Sequence, residues 1–246
     1  MRLPRNQKTL YYGYCVLRLE EDREWGTFPG LAGHPVFPLR EGRLAMLASR
    51  VENASIADPQ SVIEHGRVIH RVFEHYTVLP FRFGTVFDSE QQARQVLIVN
   101  RCELQDGLNR LRGKAEMHLK VLYMAPCRAG ATGSDVSRLT CERVADLFRP
   151  LEEHVAVREL QSGEWLVDLA HLIDDSRVEV YQRVFTAAAE RIKDCQILVT
   201  GPWPPYHFLP SAVRRPAASE TCLRPGRRPP QRRAAVIPFQ VRAASG

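Results

Sequence analysis

Apolar positions along the chain fall into short alternating runs and longer runs of helical period. Residues 10–19, LYYGYCVLRL, have the aromatic and β-branched enrichment of a strand. Simple alternation places Tyr12, Tyr14, Val16 and Arg18 on one face and Tyr11, Cys15, Leu17 and Leu19 on the other. Charges with Pro29, Gly30 and Gly33 make 20–35 a loop, and residues 36–39 and 43–51 flank Glu41-Gly42 as a hairpin with Leu44, Met46 and Ala48 on one face. Asp58-Pro59 opens a helix to Tyr76, the carboxylate capping free amides and the proline fitting the first turn. Val62, Gly66, Ile69, Phe73 and Tyr76 form its predicted buried stripe, with Gly66 allowing close approach to a sheet.

Residues 77–90, TVLPFRFGTVFDSE, carry more apolar surface than a half-exposed strand needs, so the segment is expected to be buried on both sides. Arg82 stands between Phe81 and Phe83. It is either a hydrogen-bonded internal anchor or a partner-facing contact. Gly84 marks a bulge, a positive φ or a close backbone approach. Ser89 and Gln92 then match a capping box, and Ala93, Leu97, Asn100, Leu104, Leu108 and Leu111 keep helical period to Gly113. Residues 114–124 return to strand character.

In the second half, residues 126–134 are the best boundary. Ser137 caps a predicted helix to about 154, residues 155–160 and 165–173 make a hairpin about Ser162-Gly163, and Ser176 with Glu179 opens another helix. Residues 195–200 form a last strand. Taken with 114–124 this reads strand, helix, strand, strand, helix, strand, the ferredoxin-like order. The expected architecture is α+β, with an N-terminal unit over 1–125, a C-terminal unit over 126–210 that shares or abuts strand 114–124, mainly antiparallel sheets, and a disordered Arg/Pro-rich tail over 211–246.

Charge changes the picture only by its location. The 246-residue chain has a formal charge of +6, but residues 211–246 hold eight Arg and one acidic residue, leaving 34 minus 8 basic against 28 minus 1 acidic, or −1, for the rest. The folded part therefore offers no nucleic-acid footprint from composition, and any such contact falls to the basic tail. The six Cys show no paired spacing and read as reduced thiols. No apolar run is long enough to span a membrane, so no membrane partner is expected and the cytoplasm is the default.

No phosphate loop, dinucleotide fingerprint, HExxH, CxxC or nucleophile elbow occurs, so no catalytic residue, cofactor or metal ligand is assigned. His65, His70 and His75 rotate around their helix rather than converging. Asp174-Asp175 reads as a turn and capping device, and Glu64, Glu74, Glu103 and Glu116 as surface or strand-edge residues. The stretch 201–208, GPWPPYHF, combines stiff proline backbone with large rings. It either locks the last strand onto the first unit or offers a docking surface through Pro202, Trp203, Pro205 and Tyr206.

These motifs carry a family likeness. LPFRFGTVF at 79–87, GLNRLRGKAEMHLKV at 107–121, Tyr12-Gly13-Tyr14 and LVTGPWPPYHF at 198–208 resemble, in order, the signatures of the GvpL/GvpF gas vesicle accessory proteins. The likeness spans roughly residues 10–210. It departs in a short middle between Tyr123 and Trp165 and in the basic tail. The resemblance implies two modified ferredoxin-like domains and a non-enzymatic assembly role at the gas vesicle. It also implies contact with the hydrophobic shell-forming protein and other accessory proteins. Arg82, Phe83, Gly84, Pro202, Trp203, Pro205 and Tyr206 are the candidate structural or partner contacts. A ferredoxin-like nucleic-acid module, stacking bases on Tyr12 and Tyr14, is the competing expectation.

Overall fold

The computed structural model describes residues 9–20, 24–52, 58–123, 147–148, 151, 154–158, 167–191 and 195–214. Strand β1 (Thr9–Arg18) is central to a first sheet, paired antiparallel with β4 (Leu44–Glu52) on one side and with β5 (Val78–Pro80) and β6 (Val86–Phe87) on the other. Beyond β4 lie β3 (Pro35–Glu41), completing the expected hairpin, and the short β2 (Phe28–Pro29). The register of β1 against β4 slips between Gly13 and Cys15. This bulge at Tyr14 overturns the simple alternation: Tyr12, Tyr14, Cys15, Leu17 and Leu19 enter one core, while Val16 faces the other.

Helix α1 (Pro59–Phe73) covers the tyrosine face, with Asp58 accepting from the Ser61 amide at 2.9 Å. Its buried stripe is rotated from the expected one. Ser61, His65, Val68, Ile69 and Val72 point inward, whereas Val62 is half exposed and open space surrounds Gly66. The predicted close sheet contact at Gly66 is therefore absent. The physical reason is polar: the Tyr12 hydroxyl beneath the helix needs a partner, and His65 supplies it.

The opposite face packs on α2 (Glu90–Val99) and α3 (Arg101–Arg110) through Ala93, Val96, Leu97, Leu104 and Leu108. Ser89 caps α2 by accepting from the Gln92 amide at 3.2 Å. The single long helix expected here is broken at Asn100, whose backbone leaves helical geometry while its Nδ2 donates to the Val96 carbonyl at 2.9 Å.

A second sheet holds β7 (Lys114–Tyr123), β8 (His154–Arg158), β9 (Val167–Asp174) and β10 (Cys195–Trp203) in the antiparallel order β10-β7-β9-β8. Helix α4 (Val178–Arg191) closes one face through Tyr181 and Ala188 against Met117, Leu119, Leu169, Ile173 and Phe148. A 3-10 turn (Asp175–Arg177) precedes α4 and contains Ser176, so Ser176 is not the expected cap. Asp174 instead pairs with Lys114 at 2.7 Å.

One core spans both sheets. It runs from Val16, Met46, Leu79, Phe81 and Phe87 through α2 and α3 to Ala170 and Leu172 of β9. Phe208, Leu209 and the short helix α5 (Ser211–Arg214), with Ala212 and Val213 buried, belong to it. The expected start of the disordered tail at 211 is thus corrected, because residues 211–214 are helical and packed. The rest of that tail, the boundary at 126–134, most of the 137–154 helix and the turn at 162–163 lie outside the described residues.

Candidate functional site

The central stretch is only partly the buried strand expected. Phe81 and Phe87 are fully buried, but between β5 and β6 the chain turns outward at residues 82–85. The Arg82 side chain is exposed, which corrects the internal-anchor expectation. Its backbone does the local work instead, the Arg82 carbonyl accepting from the Thr85 amide at 3.2 Å and the Thr85 hydroxyl at 2.8 Å. Gly84 adopts φ 85, the second of the three alternatives its position left open, and its amide donates to the Tyr12 hydroxyl at 3.2 Å. Phe83 is half buried beside Tyr12 and His65.

Tyr12 is thus a junction between β1, α1 and the 82–85 turn. Its hydroxyl lies 2.9 Å from His65 Nδ1. The neighbouring Tyr14 hydroxyl accepts from the Leu31 amide at 2.8 Å and meets Ser49 Oγ at 3.0 Å. Burial pushes both phenols upward and drives His65 down to about 4, so the imidazole is neutral. Both tyrosines are fully buried. They share a face as expected, but it is a core face, and the base-stacking platform required by the nucleic-acid expectation is not there.

The 201–213 segment divides by side. Pro204, Pro205, Phe208 and Leu209 are buried, whereas Pro202, Trp203 and Tyr206 are exposed. Gly201, at φ 129, lies where a Cβ would come within 2.8 Å of the Glu116 carbonyl and of Met117 Sδ. Only glycine lets the last strand leave its sheet this close to β7. Glu103 holds the far end, accepting from the Ser211 hydroxyl at 2.6 Å and the Ala212 amide at 3.1 Å, and Arg110 donates to the Phe208 carbonyl. Trp203 reaches α1, its ring 6.2 Å from that of His70.

Glu116 is fully buried and not at the surface or strand edge expected of it. Its Oε1 lies 2.5 Å from His118 Nε2 and 2.8 Å from His207 Nδ1, while Oε2 accepts from the His207 amide at 2.8 Å. His118 Nδ1 is 3.6 Å from Asp168 Oδ1. Burial would raise the Glu116 pKa, but hydrogen bonds from the two histidines bring it below the usual range. Burial alone would likewise push His118 down. The Asp168 and Glu116 carboxylates outweigh it and hold His118 at about 9. Glu116 and His118 alternate on one strand and so share a face, a signal present in sequence; His207 lies 91 residues from Glu116 and joins them only through the fold.

A model described as gas vesicle synthesis protein GvpL/GvpF matches residues 10–139 and 135–210. The chain belongs to the GvpL/GvpF family. Membership implies a role in gas vesicle formation. Among GvpL/GvpF relatives, gas vesicle protein F1 of Halobacterium salinarum is 26% identical over 207 residues, 80% of this chain and 92% of the relative. Gas vesicle protein F of Haloferax mediterranei is 24% identical over 171 residues, 66% of this chain and 78% of the relative. The crystal structure of GvpF from Anabaena superposes with a TM-score of 0.71 at 17% identity, covering 81% of this chain and 95% of the other. That of GvpF from Microcystis aeruginosa gives 0.69 at 16%, covering 82% and 98%. At that identity the two structures establish the shared fold, mixed helix with antiparallel sheet.

A cleft of about 350 Å³ between α1 and residues 28–33 is lined by Glu64, Arg67, Arg71 and Phe28. His65, His118 and His171, whose pKa values are shifted by their surroundings, do not line it. Among the described residues no helix is long and apolar enough to cross a membrane.

Proposed function

We propose that this GvpL/GvpF chain is a non-catalytic assembly factor that binds the hydrophobic shell-forming protein of the gas vesicle, in the cytoplasm and alongside other accessory proteins. The carrying observation is the two-sided C-terminal segment: Trp203 and Tyr206 are over a third exposed on a backbone clamped by Pro204, Pro205, Phe208 and Leu209. Rings held rigidly at the surface bury large area on a partner at small ordering cost. Exposed Val62 and Ile63 add apolar surface to α1, and Arg82 offers five donors from the 82–85 turn. A subunit with unpaired apolar helices and strand edges needs such temporary cover. The β10-β7-β9-β8 order of the second sheet supports a ferredoxin-like C-terminal unit whose first strand is β7, so the division between the two units falls before Lys114 rather than near residue 125.

Co-purification of the chain with the shell protein tests this reading. Wild type is expected to retain the shell protein, and Trp203→Ala to lose most of it while keeping wild-type circular dichroism. Arg82→Ala is expected to fold and to weaken retention. If wild type retains no shell protein even with the other assembly proteins present, direct binding is wrong.

A further inference from the structure

We propose that Glu116, His118 and His207 form a binding site for one first-row divalent transition ion of the zinc type, which ties the C-terminal segment to strand β7. Glu116 Oε1, His118 Nε2 and His207 Nδ1 all lie within 4.8 Å of one another. Two imidazole nitrogens and one carboxylate oxygen suit zinc and its neighbours, whereas calcium and magnesium prefer all-oxygen sites. A tetrahedral ion with bonds of ~2.1 Å spaces its donors by ~3.3 Å. The present spacings of 2.5 and 2.8 Å are those of shared protons, so the two contacts must open by roughly 0.8 and 0.5 Å to exchange protons for an ion.

Three features of the surroundings favour that exchange. The His207 amide occupies Glu116 Oε2, which fixes the carboxylate and leaves Oε1 as the presented donor. His118 turns its second ring nitrogen toward Asp168 Oδ1 at 3.6 Å, an ion-pair distance that a small closure would turn into the carboxylate–histidine contact that orients metal-bound imidazoles. Glu116 has no exposed side-chain surface, while His118 and His207 keep 19% and 33%. The carboxylate is therefore in a setting where a positive counter-charge matters most, and the imidazoles leave an approach and a fourth position for water. His207 belongs to the segment that carries Trp203 and Tyr206, so an ion here would stiffen the aromatic face without touching it.

The test uses the full chain, stripped with a chelator and titrated calorimetrically with zinc chloride. We expect saturable uptake of one ion per chain and a zinc-dependent rise in Tm. His207→Gln should weaken binding by about tenfold or more and remove the Tm response. Weak uptake by exposed His70 and His75 persists in every variant and does not saturate at one equivalent. Zinc-induced displacement of the His118 and His207 imidazole NMR signals in wild type reads the same site without a substitution. Absence of one-equivalent binding, wild-type affinity in folded His207→Gln, or unmoved imidazole signals under saturating zinc would overturn the proposal and leave a proton-bridged knot. These outcomes are independent of whether the shell protein is retained.

Discussion

At the scale of single residues, two buried histidines contribute to how the protein responds to acid. His65 has its pKa depressed to about 4 by burial, with the Tyr12 hydroxyl on Nδ1. His171, beside Tyr181, is lowered to about 4 in the same way. The unfolded chain protonates its histidines near 6.5, so it takes up protons before the folded chain does. Stability contributed by neutral His65 is therefore intact above about pH 6.5 and is lost as pH falls toward 4. The loss is roughly 3 kcal/mol for a shift of this size. His65→Gln keeps a group able to accept from Tyr12 and removes the titration. Urea unfolding at a series of pH values should show a shallower acid limb in His65→Gln than in wild type; superimposable limbs would exclude His65 as the cause. Arg82 teaches the opposite lesson at this scale: flanked by two phenylalanines in sequence, it escapes burial because the chain turns at Gly84.

Among the elements, α2 and α3 link the first sheet to the common core, and their local chemistry is legible. Ser89 was identifiable as a cap from its spacing to Gln92, and the structure retains the Ser89 contact while Gln92 Oε1 accepts from the Asp88 amide at 2.6 Å. Ser89→Ala should cost about 1 kcal/mol in chemical denaturation with the spectrum of the folded state unchanged. A negligible cost would mean that the Gln92 contact suffices to start the helix. The break at Asn100 was not legible, since apolar period continues across it. Asn100 donates its side-chain amide to Val96, and the chain then restarts as α3 with Leu104 and Leu108 still facing the core. The rotated stripe of α1 has a similar origin, a buried hydroxyl outweighing the apolar pattern of the helix.

For the whole molecule, the C-terminal segment decides how the two sheets are joined. Phe208, Leu209, Ala212 and Val213 share a core with Leu79 and Phe81 of the first sheet and Leu172 of the second. Phe208→Ala should destabilise by about 3 kcal/mol or more, because the void it leaves is walled by several elements and collapses poorly. If the core acts as one unit, calorimetry should show a single transition shifted down in temperature; two resolved transitions would show that the sheets unfold separately. The same segment presents Trp203 outward and leaves Tyr206 partly exposed with its hydroxyl desolvated by burial, so the clamp and the proposed partner surface are two sides of one stretch of chain.

The sequence by itself determined the order of most strands and helices among the described residues, the hairpin at Glu41-Gly42, the caps at Asp58 and Ser89 and the family. Each depends on neighbours within a few residues or on an ordered string of motifs. Tertiary structure alone decided which residues of β1 face α1, because a bulge resets the alternation, and which face of α1 is buried, because Tyr12 claims His65. It alone united Glu116 and His118 with His207, whose proximity is set by sheet pairing and the path of the last strand rather than by any spacing along the chain.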